Sequence, residues 1–201
     1  MYDYIQSEIL PQYDHFDKAH QRDHVGKVIE ESLFLAQFYP VDKDTVYAIA
    51  AYHDTGLVAG RETHHLVSGR IIREDTALRQ WFSEEQIETM AQAVEDHRAS
   101  SDHEPRSIYG KIVAEADRDI EPLKIVRRTV QYGLSHYPEL DKEGHWQRTL
   151  DHLHEKYAEG GYLKLFIPQS HNAEQLDQLR KLIKDEVKLR AVFEDIFLQV
   201  K

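Results

Sequence analysis

Ile49-Ala50-Ala51-Tyr52-His53-Asp54-Thr55-Gly56 runs an apolar helical stretch into a His-Asp pair and closes it with a glycine. At helical spacing Val46, Ile49, Ala50 and His53 fall on one face, so an imidazole stands on the buried stripe with a carboxylate directly after it. A buried polar group costs free energy unless it finds a partner. A divalent cation is a partner that suits both groups. Gly56 can adopt positive φ, which predicts a helix end just past the pair and side chains that meet a cleft. A His-Asp dipeptide is common by chance, so this reading depends on ligands of the right type elsewhere in the chain.

The rest of the chain is patterned for helices, with no internal repeat, low-complexity segment or linker. Upstream, Tyr2 to Leu10 reads as a short helix stopped by Pro11. Val25, Val28, Ile29, Leu33, Leu35 and Phe38 mark a second, ended before Pro40. Asp42 is the expected N-cap of the helix that carries His53. Downstream, Glu62 opens a short helix to about Glu74. Ser83 and Gln86 form a capping box for a helix to about Ala99. A loop through Ser100, Ser101, Asp102 and Pro105 leads to a helix from about Ser107 to Ile120, with a break near Pro122. Leu123 to Ser135 and Lys142 to Ala158 follow, the latter ended by Gly160-Gly161. A last helix over 173–200 puts Leu176, Leu179, Ile183, Val187, Arg190, Phe193 and Phe197 on one stripe. The expectation is an all-α, single-domain helical bundle over 1–201, with a core at about residues 20 to 130 and C-terminal helices at about 140 to 200 packing on it.

Composition narrows the function. The 201 residues suffice for one domain, and 41% hydrophobic with 30% charged residues is the balance of a soluble globular protein. No apolar run is long enough to span a bilayer. The first residues lack the basic-then-apolar order of a signal peptide, so a cytoplasmic protein without a membrane partner is expected. With no cysteine, any metal site is built from His and carboxylate. A net charge of -11 argues against binding a nucleic-acid polymer, though a local metal can still attract a small anion.

Further ionisable residues stand where core residues belong. His97 follows Ile87, Met90 and Val94 on its stripe, and Asp117 lies beside Val113, Ala116 and Ile120. His24 shares a face with Val28 and Leu35, and His65 is followed by Leu66 and, four residues on, by Gly69. A lone histidine of this kind is more often a satisfied core residue, but the bland reading must hold for all of them together. Inward His and Asp from separate helices describe a metal site in a bundle.

The order His24, then His53-Asp54, then Asp117 resembles the HD-domain superfamily of metal-dependent phosphohydrolases. His24-Val-Gly-Lys-Val28 is similar to the family's first-helix His, His53-Asp54-Thr-Gly56 to its His-Asp motif, and Ala116-Asp117 to its final Ala-Asp motif. The resemblance covers about residues 20 to 130. It implies one divalent ion (Mn, Fe, Co, Ni, Mg or Zn) on His24, His53, Asp54 and Asp117. His65-Leu-Val-Ser-Gly69 and Val94-Glu-Asp-His97 resemble elements of two-metal members, which implies a second ion on His65 and His97 with Asp54 bridging. Arg98 stands where such members often carry another His, so one or two ions remain open.

Metal-assisted hydrolysis of a small phosphorylated substrate is the leading expectation, and the resemblance favours a nucleotide. Asp54 and Arg98 are the candidate catalytic residues. Arg98, Arg61 and Lys124 are candidate phosphate contacts, with Lys111 of the same kind and His20 as a partner to a ligand. Other readings are a di-iron oxygenase of the same superfamily and a non-catalytic nucleotide-binding module. The long final helix leaves room for a homodimer.

Overall fold

The Asp42 carboxylate accepts from the Thr45 backbone N–H at 2.9 Å and starts helix α3, as the sequence predicts. This computed structural model describes residues 1–17, 20–101 and 103–200; Asp102 lies outside the described residues. They fall into two compact units, one of residues 1–118 with 166–170 and one of 119–165 with 171–201. Among the described residues there is no strand, and no helix is long and apolar enough to cross a membrane.

In the first unit, α1 (Tyr2–Tyr4) continues through a wide turn, Ile5–Ile9, and a 3-10 segment, Leu10–His15. Pro11 does not stop this run. It sits in the first turn of the 3-10 segment, where a missing N–H costs little. α2 (Arg22–Leu35), α3 (Lys43–Tyr52), α4 (His64–Glu74), α5 (Glu84–Glu95) and α6 (Ile108–Ala116) complete the unit. The expected Ser83–Gln86 capping box is present. α3 is buried along nearly its whole length, and α2, α5 and α6 pack around it. Ile49, Met90, Val94 and Val113 are fully buried in one cluster with Val25 and Val28. Each such side chain contributes about 1.5–3 kcal/mol through burial. Residues 166–170 return to this unit, where Ile167 packs on Leu35, Val46 and Ile112.

α3 ends at Tyr52, ahead of Gly56, and Gly56 does not take positive φ. Its need for glycine is steric. A Cβ there would lie 2.0 Å from the His64 carbonyl oxygen and 2.5 Å from the Ser68 nitrogen, so α4 can approach only a residue with no side chain.

The second unit holds α7 (Pro122–His136), α8 (Lys142–Tyr157), α9 (His171–Lys184) and α10 (Glu186–Val200). The single last helix expected from the stripe is two. Asp185 separates them, and its carboxylate accepts from the Lys188 N–H at 3.0 Å as a cap for α10. The break resets the helical phase. Leu189, Phe193, Ile196 and Phe197 become the buried stripe, and Val187 is 84% exposed. His145 is buried near the Phe197 ring.

Candidate metal centre

The site is assembled from helix ends. α3, α5 and α6 stop at Tyr52, Glu95 and Ala116; His53-Asp54, His97 and Asp117 lie just beyond. The last carbonyls of a helix have no partner within it. Here imidazoles take some of them: the His53 Nδ1–H donates to the Ala50 carbonyl at 2.8 Å and the His97 Nδ1–H to the Val94 carbonyl at 2.6 Å. His64, at the start of α4, donates likewise to the Arg61 carbonyl at 2.8 Å. With Nδ1–H spent on a carbonyl, each ring turns Nε2 into the site, where it donates to a carboxylate when protonated and offers a lone pair to a cation when not. The three C-terminal helix ends also direct the negative pole of their dipoles at the same point.

The donors form two groups, His24 with His53 and Asp117, and Asp54 with His64 and His97. In the first, His24 Nε2 is 3.3 Å from His53 Nε2 and 3.2 Å from Asp117 Oδ1. In the second, His64 Nε2 is 3.1 Å from His97 Nε2, and Asp54 Oδ1 is 3.3 Å from the first and 3.5 Å from the second. Asp54 Oδ2 faces the first group, 3.2 Å from His53 Nε2 and 3.6 Å from His24 Nε2. One buried carboxylate therefore serves both groups.

This arrangement fits divalent cations. Two Nε2 lone pairs at 3.1 Å repel unless a proton or a cation lies between them. The donor set is imidazole and carboxylate only, which suits manganese, iron, cobalt, nickel or zinc. The carboxylates are held ionised. Burial alone would raise Asp54, but His53 and hydrogen bonds from His24, His53 and His97 hold it well below the usual carboxylate range. Burial likewise opposes ionisation of Asp117, and the hydrogen bond from His24 with the charges of His53 and His97 bring it to about 2. His24 is pulled down by burial and pushed up to about 9 by Asp117 and Asp54.

His24, His53, Asp54, Asp117 and His97 come together as expected. His65 does not; His64 stands in its place. Ser68, one turn after His64, decides this. Its hydroxyl donates to the His53 carbonyl at 2.8 Å and accepts from the Gly56 N–H at 2.9 Å, locking the His64–Ser68 face of α4 onto the His-Asp turn. His65 points away into a cavity of about 610 Å³, lined also by Arg98, Arg106, Ser100 and the acidic Glu95, Asp96 and Glu104. Burial and the neighbouring Arg98 lower its pKa to about 4. Gly69, read as part of the His65 element, instead lets α4 approach Glu95 of α5, where a Cβ would meet the side chain at 2.6 Å.

Arg98 follows His97 and donates to the Glu62 carbonyl at 2.7 Å while lining that cavity. The Arg61 guanidinium is exposed and reaches Asp17 at 3.3 Å and the His20 ring at 3.1 Å; its backbone carbonyl, not its charge, meets the second donor group through His64. His20 lies edge-on to the His24 ring, with centroids 5.6 Å apart, and pairs with Asp17. Lys111 faces Glu104 at 3.6 Å. Lys124 belongs to the second unit, where its ammonium pairs with Asp119. Sequence reasoning missed Tyr13, Ser68 and the place of His64 beside Asp54 and His97. The i, i+4 relation of His64 to Ser68 and of Ile9 to Tyr13 was the available signal.

A family model for the HD domain matches residues 22–120, which include every donor of both groups. No curated protein and no solved structure matches the chain.

Proposed function

We propose, from the premise that the chain belongs to the HD-domain family of metal-dependent hydrolases through residues 22–120, that it hydrolyses a small phosphoester or phosphoanhydride, with a nucleotide as the favoured substrate. The observation that carries this reading is that Asp54, a member of one three-residue donor group, turns its second oxygen to the other. His24, His53 and Asp117 would hold one ion, His64 and His97 a second, with Asp54 shared. Divalent ions held there would supply Lewis acidity for a phosphoryl oxygen and for water.

The chain's own residues do the rest. The carbonyls of Ala50, Arg61 and Val94 fix the tautomers of His53, His64 and His97, so no ring must turn to offer its lone pair. Asp54 is ionised and buried, so its charge acts with little screening by water. His65 and Arg98 each directly follow a donor of the second group, which puts the cavity they line beside that group. Arg98 supplies a guanidinium for the equatorial phosphoryl oxygens. A volume of about 610 Å³ is within the range of sites for small organic ligands.

Elemental analysis with a phosphate-release screen over nucleotides tests the proposal. His53→Ala and Asp117→Ala are expected to lose bound metal and at least about a thousandfold in turnover, the scale of several kcal/mol of charge stabilisation. Full metal content and turnover in either variant refutes it. The shared carboxylate also favours a second reading, a di-iron oxygenase. Oxygen uptake by the iron-loaded chain, without phosphate release from any nucleotide, would select that reading.

A further inference from the structure

The residues matched by the HD-domain model begin at 22, yet a side chain from before that point is joined to the His-Asp turn. Tyr13 is fully buried, with its ring 6.2 Å from the His53 ring and 5.2 Å from Phe16. Its hydroxyl donates to the Ala51 carbonyl at 2.9 Å and accepts from the Asp54 N–H at 3.2 Å.

The count of backbone groups explains why the turn needs it. In a continuing α-helix the Ala50 carbonyl would accept from the Asp54 N–H. That carbonyl is used by His53 Nδ1, which fixes the tautomer of His53. The Asp54 N–H is thereby displaced, in a place where Asp54 itself is 3% exposed. One phenol hydroxyl then meets both needs left by the broken helix, a donor for Ala51 and an acceptor for Asp54. The segment that delivers it is anchored by Ile5 and Ile9, buried on the same face at four-residue spacing.

We propose that Tyr13 is a positioning residue for Asp54, and that the N-terminal segment 1–15 is through it a working part of the metal centre. This rests on the metal reading of the site. Asp54 offers different oxygens to the two donor groups, so a tilt of its backbone misplaces both oxygens at once. Removing the hydroxyl leaves a buried N–H and a buried carbonyl without their partner while the ring packing stays.

The test is Co²⁺ titration of the full chain, followed by visible absorption, in wild type, Tyr13→Phe and Tyr4→Phe. Tyr4 lies in the same segment, but its hydroxyl donates to Asp75, which belongs to neither donor group. Urea unfolding of all three separates loss of stability from loss of metal. Tyr13→Phe is expected to weaken Co²⁺ binding at least about tenfold, as outer partners of metal ligands do, and to change the ligand-field spectrum. Tyr4→Phe is expected to titrate as wild type even where its urea midpoint falls. An unchanged Co²⁺ titration and spectrum in Tyr13→Phe overturns the proposal, as does an equal weakening in Tyr4→Phe. A wild-type chain that takes up no Co²⁺ overturns the metal reading itself, and this inference with it.

Discussion

The two donor groups of the site are built by different means. His24 sits on α2, and His53 and Asp117 cap the ends of α3 and α6, helices that pack together through Val25, Val28, Ile49 and Val113. Burial of apolar surface holds these donors in place. His64 and His97 are held by polar clamps. Arg73 of α4 reaches Glu95 of α5 at 2.5 Å and Glu88 at 2.8 Å. Arg106 grips the buried Asp96 through its backbone N–H at 2.7 Å and its guanidinium at 2.8 Å, and also reaches Glu95 at 2.8 Å. Arg98 ties the residue after His97 to the Glu62 carbonyl, just before His64. Apolar packing tolerates the loss of one polar partner elsewhere, whereas a clamp fails when one of its members is removed. The second group should therefore be separable from the first by polar substitutions.

The largest expected effect comes from the paired variants His64→Ala and His65→Ala. His64→Ala should lose one ion from the elemental count, with affinity down by more than about a hundredfold, beyond the cost of an outer partner. His65→Ala should keep both ions. The reverse result would restore the register that the sequence suggested and break the comparison.

Arg106→Ala comes next. It leaves the Asp96 carboxylate, 2% exposed, without its guanidinium. The turn that presents His97 then loosens, and the second ion should bind about ten- to a hundredfold more weakly while the first is retained. Equal loss of both ions on dialysis would show that the two groups share one support.

The smallest effect concerns acid. Arg73 holds Glu88 down to about 2, against an ordinary value of 4.5. A carboxyl with a lowered folded pKa contributes stability that is complete above its unfolded value and is lost as pH falls towards the folded one. The α4–α5 clamp should therefore weaken from about pH 4.5 to pH 2. Partly exposed pairs are screened, so the change should stay below about 1 kcal/mol. It is read as the difference in urea midpoint between wild type and Arg73→Ala, which should shrink across that window. A constant difference would place the contribution of Arg73 in packing instead of charge.

Much of this was open to reading in one dimension. Asp42, Ser83 and Gln86 announced their helices because capping is a local exchange of hydrogen bonds. The Asp185 break was hidden, since the apolar spacing of α9 and α10 runs on through it. Pro11 misled in the other direction, as proline stops a helix only away from its first turn. Reading past it would have set Tyr13 on the stripe of Ile5 and Ile9.

By itself the sequence determined the helical class and marked His24, His53, Asp54, His97 and Asp117 as candidate donors, through polar residues set among apolar ones and through the resemblance to the HD-domain family. Only the tertiary structure decided between His64 and His65. Neighbouring residues on a helix point about 100° apart, and their phase depends on what the helix is pressed against. Here that is Gly56, whose missing side chain admits the His64 carbonyl and lets Ser68 bond the turn. The same holds for Tyr13, whose partners lie 38 and 41 residues away in the chain and meet it only once the helices have packed.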